Sequence, residues 1–514
     1  MSEKQEKKEK DWFKVKRYPH ISLPINIAER YKWVENYVTH PENVAKHAFS
    51  PFIHRTSKVR KFRKEYSPDN GKLIKEKDTK NRKSSVKTRE LYYANHLDSL
   101  IFSYYSKLLS DAYENKLKLN NLGDIVNAYR SVPVDQTIED GPNKSNIEFA
   151  NDVFNYIRNY DKDEFLVIAF DIKSFFDNID HKILREAWTD LISPREVLPD
   201  AHFNIYKNIT RYSYVDIVDI FKEFKNRIYV QKRGKSGKLL PIKRKSVSKL
   251  KFMRNQDAIA FCKKDEFLKV KNKLLKNSKK IKVNGKLINR NFGIPQGSPI
   301  SSILANIYLF DFDKKINNYI DKKGIYRRYS DDMIVVCPID EKENIIDLMT
   351  NSIKDFKLEI QEKKTQVFHF KHEHDGLICG QSFIDEINWN KNFIYLGFEF
   401  DGKNTLIRSA SLSGYYRKMK RSVKRAKKHS TKRFNKKKGE IFKRRILKKF
   451  TYKGAQRRRK YIKDPVTDHF TKSEYYDWGN FLSYAFKAAK FMDNNKIKGQ
   501  VKNHWKKIER LLKK

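Results

Sequence analysis

Hydrophobic positions along the chain switch between a helical and a strand period, and the switches mark its elements. Leu91, Leu97, Leu100, Ile101, Tyr104, Leu108 and Leu109 recur at helical spacing, so Arg89 to Leu119 is predicted to be a helix. Ile147 to Ile157 repeats the pattern. Phe165 to Phe170 is an unbroken apolar run of strand length, and it ends in Asp171. His181 to Ile192 carries Ile183, Leu184, Ala187, Trp188 and Ile192 on one face of an amphipathic helix. Ser193 to Arg290 follows, Lys-rich in its second half, and this stretch is predicted to bulge from the core as an extra basic element. In Gly293-Ile294-Pro295-Gln296-Gly297-Ser298-Pro299, Ser298 is expected to cap a helix that runs on through Ile303, Leu304, Ile307, Tyr308 and Phe310, with Pro299 in its first turn. A polar approach, Ile325 to Arg328, and an apolar run, Met333 to Cys337, frame Tyr329-Ser330-Asp331-Asp332. That pattern predicts a β-hairpin with two adjacent carboxylates at its tip. Tyr415 to Lys449 interleaves Lys and Arg with Ile, Leu and Phe, and Ser473 to Lys514 returns to helical patterning.

Charge narrows the partners. The 514 residues suffice for about three domains. Lys and Arg number 111 against 62 Asp and Glu, a formal net charge of +49. Self-repulsion makes that excess unfavourable for a lone globular fold, so a polyanionic partner is its natural reason. An aromatic content of 13% suits a partner with stackable bases. A membrane surface is the rival, but no apolar stretch is long enough to span a bilayer. Arg55 to Lys87, densest at Lys58-Val59-Arg60-Lys61-Phe62-Arg63-Lys64, is read as a nucleic-acid contact, where the plain alternative is a solvated face. Met1 to Lys10 is charged and lacks the apolar core of a secretion signal. Cys262, Cys337 and Cys379 lie too far apart for a disulfide framework or zinc ribbon, which fits a reducing cytoplasm.

Candidate chemistry sits where apolar runs end in acids. Ser-Asp-Asp is ordinary turn composition, but a carboxylate closing a buried strand is unfavourable unless it holds a cation. Asp171 there, with Asp331 and Asp332 on a facing hairpin, could hold two Mg²⁺ ions about 4 Å apart, the arrangement of phosphoryl transfer. Arg130 and Lys144 flank an acidic turn, Glu139 to Asn143, and could clamp a triphosphate; simple surface charge is the alternative for each. Gly297 lets backbone approach a ligand, and Gln296 could line a nucleotide pocket. Gln366 to Trp389 holds His369, His372 and His374, read as surface histidines in preference to a zinc site.

The ordered set Phe170-Asp171-Ile172-Lys173-Ser174-Phe175-Phe176-Asp177, Gly293 to Pro299 and Tyr329 to Asp332 resembles a reverse transcriptase of the bacterial group II intron and retron lineage. Lys364-Thr365 is similar to that lineage's next motif, and Tyr395-Leu396-Gly397 with Phe398 to its primer-grip hairpin. The likeness covers roughly Ala128 to Gly402. Ala128 to Pro133, followed by Ile147-Glu148-Phe149-Ala150, also resembles the defence-associated "unknown group" enzymes. The resemblance implies that Asp171, Asp331 and the carbonyl of Ile172 hold the metals and that Asp332 completes the carboxylate set. It implies that Gln296 touches the incoming dNTP and that Lys364 lies near the triphosphate, with Lys363 beside it leaving the choice open. It places Phe176, five residues after Asp171, against the sugar C2′. The chain departs from the lineage in the long gap from Asp171 to Gly297, the long segment from Gln366 to Trp389, and Ser330 before the two acids. No endonuclease-type Cys or His module follows Gly402.

These readings combine into an α+β right-hand polymerase: fingers, a palm with an antiparallel sheet, and a helical thumb. The expected divisions are an N-terminal extension and fingers (1–160), a palm (161–402) with an inserted basic fingers segment (193–290), a basic thumb (403–464) and a C-terminal helical region (465–514). The expected activity is RNA-templated DNA synthesis with Mg²⁺ and dNTPs in antiphage defence. The expected partners are an RNA template, in the form of a structured non-coding RNA, and a DNA product. The alternatives are a retron or intron enzyme, a template-independent or protein-primed polymerase, and a non-catalytic RNA-binding scaffold. The 28 tyrosines allow a priming hydroxyl but single out none. Oligomeric state is not readable from the chain.

Overall fold

The computed structural model describes residues 11–63, 67, 69–70, 74, 83–135, 137, 142–194, 196–234, 239–283, 286–431, 439–455, 459–463, 470–476 and 479–513. The acidic turn expected at Glu139 to Asn143 lies mostly outside them. The chain divides into two compact units: residues 1–67, 72–130 and 168–365 in one, and 68–71, 131–167 and 366–514 in the other.

After short helical segments between Arg30 and Ala45, the first unit forms a long antiparallel ribbon, β1 (Phe52–Arg63) and β2 (Lys83–Tyr93), in register from Ile53 opposite Tyr93 to Arg63 opposite Lys83. The helix α1 (His96–Leu119) therefore starts seven residues later than its spacing predicts. Leu91 is drawn into the ribbon opposite Arg55, and pairing with β1 overrides the local helical pattern. β3 (Glu164–Asp171) contributes its C-terminal half to this unit. Next come α2 (His181–Ile192), α3 (Ser301–Tyr308) and α4 (Phe310–Ile320), then the hairpin of β4 (Ile325–Tyr329) and β5 (Asp332–Cys337), and α5 (Lys342–Asp355). β5 lies between β4 and β3 in the sheet. Met333 to Cys337 are all buried, as are Leu304, Ile307 and Phe312 on the helices, so the sheet's apolar strand carries the core.

The stretch from Ser193 to Arg290 does not bulge away. Its strand Ser213–Asp216 runs parallel to the start of β1, Phe52 opposite Tyr214. Its apolar residues share one core with the N-terminal segment: Ile21 and Ile53 are buried with Val215, Phe224, Ile228, Met253 and Phe261. His20 bridges Ala260 in the same unit, and the Phe261 amide donates to the His20 carbonyl at 2.9 Å. The apolar residues scattered among its lysines find partners distant in sequence, which local periodicity does not reveal.

In the second unit, helix Asn146–Arg158 begins with a capping box in which the Ser145 amide donates to Glu148 at 2.8 Å. Buried Glu148 also takes the ammonium of Lys487 at 2.6 Å. Strands Gln366–Glu373 and Gly376–Ser382 form a hairpin that includes His369 and His372. Strands Phe393–Tyr395 and Phe398–Phe400 are joined by Leu396 and Gly397, both at positive φ (44° and 92°), the backbone of a tight two-residue turn. Helix Ser409–Ser430 buries Tyr415, Met419 and Val423, one residue per turn, and leaves its cations outside. Ser473 to Tyr476 belong to strand Phe470–Tyr476, so the C-terminal helices begin only at Phe481.

Candidate active site

The hairpin between β4 and β5 closes in two residues. Tyr329 pairs with Asp332, so Ser330 and Asp331 form the turn and Asp332 opens the strand. Ser330 is buried with φ of 63°, a left-handed conformation that a side chain adopts only when its surroundings impose it. Beneath the turn, Arg328 and Asp313 are both fully buried and joined by three contacts of 2.6 to 3.0 Å. Burial opposes both charges, and the two-pronged geometry is that of an ionised pair. Arg328 also donates to Asn306 at 3.2 Å, and Tyr326 donates to Asp313 at 2.9 Å. The backbone of Arg328 is bonded on both sides by Ile125 and Asn127. On the outer side, the exposed Tyr129, itself at φ of 65°, shares a 3.1 Å hydrogen bond with the Ser330 hydroxyl.

β3 delivers the third acid. The Ile172 amide donates to the Asp331 carbonyl at 3.1 Å, which ties the end of β3 to the hairpin turn. The Gln361 amide donates to the Asp171 carbonyl at 2.8 Å, and Lys173 and Glu359 are joined through backbone and side chains, both at 2.9 Å. This second tether brings in Lys364, whose ammonium contacts the Asp171 carboxylate at 2.8 Å. Of the two adjacent lysines, Lys364 is thus the one placed at the acids. Asp332 is reached by solvent yet set among crowding protein atoms. That crowding, then the charges of Asp331 and Asp171, push its carboxyl up to about 6; Lys364 and Lys87 partly oppose the shift. Lys87, on β2, is a cation at this site that sequence reasoning missed, because nothing marks it within a long basic run.

Asp332, with the charges of Asp331 and Asp171 beside it, completes a hard, oxygen-rich donor set of the kind that suits Mg²⁺. Among the described residues no group of three or more acidic, His or Cys side chains stands at metal-holding distance. Lys364 occupies the place of a cation on Asp171.

The remaining expected residues divide. After Asp171 the chain turns through Ser174 at φ of 48° into the single helical turn Phe175–Asn178. Phe175 is buried and Phe176 half-buried, and the Phe176 carbonyl accepts the Ile294 amide at 2.9 Å. The loop before α3 is therefore fastened to the loop after β3. It is fastened to the ribbon as well, since the Tyr92 amide donates to the Gln296 carbonyl at 2.9 Å. Gly297 has φ of 113°, and a Cβ there would meet the Tyr92 carbonyl at 2.8 Å. Ser298 does not cap the helix. α3 starts at Ser301, whose hydroxyl donates to the Pro295 carbonyl at 2.7 Å, and the buried Ser298 hydroxyl has no partner among the described residues. Arg130 is committed elsewhere. Its guanidinium grips Glu114 at 2.6 and 2.7 Å and the carbonyls of Gly123 and Val126 at 2.5 Å, so most of its donors pin a loop. Lys144 belongs to the other unit and pairs with Asp152 at 2.8 Å.

Residues 253–400 match the family described as reverse transcriptase (RNA-dependent DNA polymerase). That segment of the chain is similar to a reverse transcriptase. It includes the Gly293 to Pro299 loop, the Asp331-Asp332 turn and Lys364. Asp171 lies outside it, joined to it by the fold. The Retron Se72 reverse transcriptase of Salmonella heidelberg (strain 579083-10) is 31% identical over 96 residues, 18% of this chain. The chain spans about a quarter of the length of that curated relative, 25%. Among solved structures, apo telomerase from Candida tropicalis, truncated from its C-terminal domain, aligns at a TM-score of 0.37 and 11% identity, over 75% of this chain and 61% of the other. Telomerase from Candida albicans, in complex with a fragment of telomeric RNA, aligns at 0.34 and 13% identity, over 76% and 52%.

Proposed function

We propose that this chain is an RNA-directed DNA polymerase that works by two-metal nucleotidyl transfer. One observation carries the reading. Asp171, 160 residues before Asp331 in the chain, meets the hairpin through the Ile172 amide, and burial, then the charges of Asp331 and Asp171, raise the pKa of Asp332. A crowd of like charges is retained where a cation will neutralise it.

Asp171, Asp331, Asp332 and the Ile172 carbonyl would hold two Mg²⁺ ions, which when bound lower the pKa of a primer 3′-hydroxyl and neutralise the leaving pyrophosphate. Lys364, half-exposed, holds the charge of Asp171 and would meet the triphosphate. Gln296 borders the incoming nucleotide from a loop locked to β2 and to Phe176. Phe176 packs against the sugar and excludes a 2′-hydroxyl. Ser330, held from below by the Arg328–Asp313 pair and from outside by Tyr129, fixes the direction of Asp331.

The biological role we assign is antiviral defence, with a structured non-coding RNA as template. The excess of 49 positive charges and the basic ribbon β1–β2 support a large RNA partner. No helix among the described residues is long and apolar enough to cross a membrane. Primer extension by the purified chain tests the activity: with Mg²⁺ and dNTPs it extends a DNA primer on an RNA template. Extension only without a template would favour terminal addition and sink this reading.

A further inference from the structure

In the first unit a cavity of about 1110 Å³ lies where the N-terminal segment and the start of β1 meet the stretch after α2. Its lining includes none of the three aspartates. Five cations surround it: Arg17, Arg55, Arg233, Lys251 and Arg254, against the single acid Asp257. Among the described residues none of the five forms an ion pair. Other cations in the unit do find acids, as with Lys273 and Glu223 or Lys276 and Asp219. The like charges also press on one another: burial first, and then Arg233, push the Arg17 guanidinium down from its ordinary value. The floor is apolar, with Ile217, Leu250, Met253 and Phe261, and Tyr18 and Tyr93 form part of the wall.

Unmatched cations around an apolar-floored hollow call for an occupant that brings several negative charges and flat apolar groups together. The volume lies just above the roughly 300–1,000 Å³ typical of small-molecule sites, which favours a short polymer over a single nucleotide. Duplex RNA buries its bases and would leave the floor bare, whereas an unpaired strand presents both phosphates and bases. We infer that this cavity binds an unpaired segment of RNA, with phosphates on the rim arginines and bases on the apolar floor. The inference deepens the RNA-directed reading above and rests on it for the choice of RNA over DNA.

The test uses the purified full chain and a short, unstructured, fluorescently labelled RNA oligonucleotide. Arg55→Glu with Arg254→Glu reverses two exposed rim charges. It is expected to weaken RNA binding by at least about tenfold at moderate salt and to lower the slope of log affinity against log salt by about 1.4, two phosphate contacts on a single strand. Lys314→Glu, an exposed cation outside the lining, serves as control and should change binding less than twofold, roughly, as one dispersed contact. A photo-crosslinking residue at Leu239, on the cavity wall, should label the RNA more strongly than DNA of the same sequence. This second readout does not depend on the charge-reversed variant folding. Unchanged affinity and slope in the double variant, or no crosslink from position 239, would overturn the inference, as would a crosslink lost on adding millimolar ATP, which would mark a mononucleotide pocket. Primer extension by the unmodified chain is measured in parallel. If it fails while the crosslink forms, the polymerase reading falls and RNA binding in the cavity stands.

Discussion

At the scale of single residues, the site depends on side chains that touch no substrate. Arg328 and Asp313 hold the turn of Ser330 and Asp331 from a fully buried position. Removing one partner leaves a bare charge in the core, so Asp313→Ala or Arg328→Ala should lower stability by about 3–5 kcal/mol. Replacing both, as Asp313→Leu with Arg328→Met, should recover most of that loss, and denaturant titration of the three variants measures it. Phe176 is a different case. It is half-buried while Phe175 fills the core, so its ring has a free face. An unpaired, desolvated hydroxyl is disfavoured by roughly 1–3 kcal/mol, so Phe176→Val should raise rNTP use relative to dNTP by about one to two decades while the melting temperature stays near the parent's. A uniform loss of activity with no change in that ratio would assign Phe176 to the core instead.

At the scale of elements, loops are placed by pairing with distant strands. Gly297 stands against the Tyr92 carbonyl in a conformation closed to side chains, so Gly297→Ala should separate the Gln296 loop from β2. The expected result is a rise in KM for dNTPs of tenfold or more, roughly 1.4 kcal/mol or above in lost binding, with RNA affinity retained. This element also marks where the sequence is legible. The Asp-Asp hairpin, the strand ending in Asp171 and helix α2 are visible because each carries a strong period and an abrupt end. The start of α1 is not visible, because Leu91 satisfies a helical period while its amide pairs across a ribbon. The pairing of Arg130 is hidden for a similar reason: nothing in the sequence links it to Glu114, one helix earlier. Lys364 and Lys363 are equivalent in sequence, and only the tether between Asp171 and Gln361 separates them.

At the scale of the whole molecule, charge and protonation set the conditions under which it works. His20 is pushed down to about 3 and His96, His181 and His202 to about 4, each mainly by burial. An unfolded histidine titrates near 6.5, so between pH 6.5 and 4 the unfolded chain binds more protons and stability falls as the pH falls. Thermal melts should shift downward steadily from pH 7 to 5, and a flat profile would show that these rings are hydrated. RNA binding comes from many dispersed cations, so it should weaken steeply with salt yet survive the loss of a single carboxylate. That separation of binding from chemistry gives the most direct measurement: primer extension on an RNA template in Mg²⁺ by purified Asp171→Ala and Asp331→Ala, with RNA affinity measured on the same preparations. The account predicts that both variants bind RNA within about twofold of the parent and that dNTP incorporation falls by at least about three decades, the loss of several kcal/mol of transition-state stabilisation. Near-normal incorporation by either variant would contradict it.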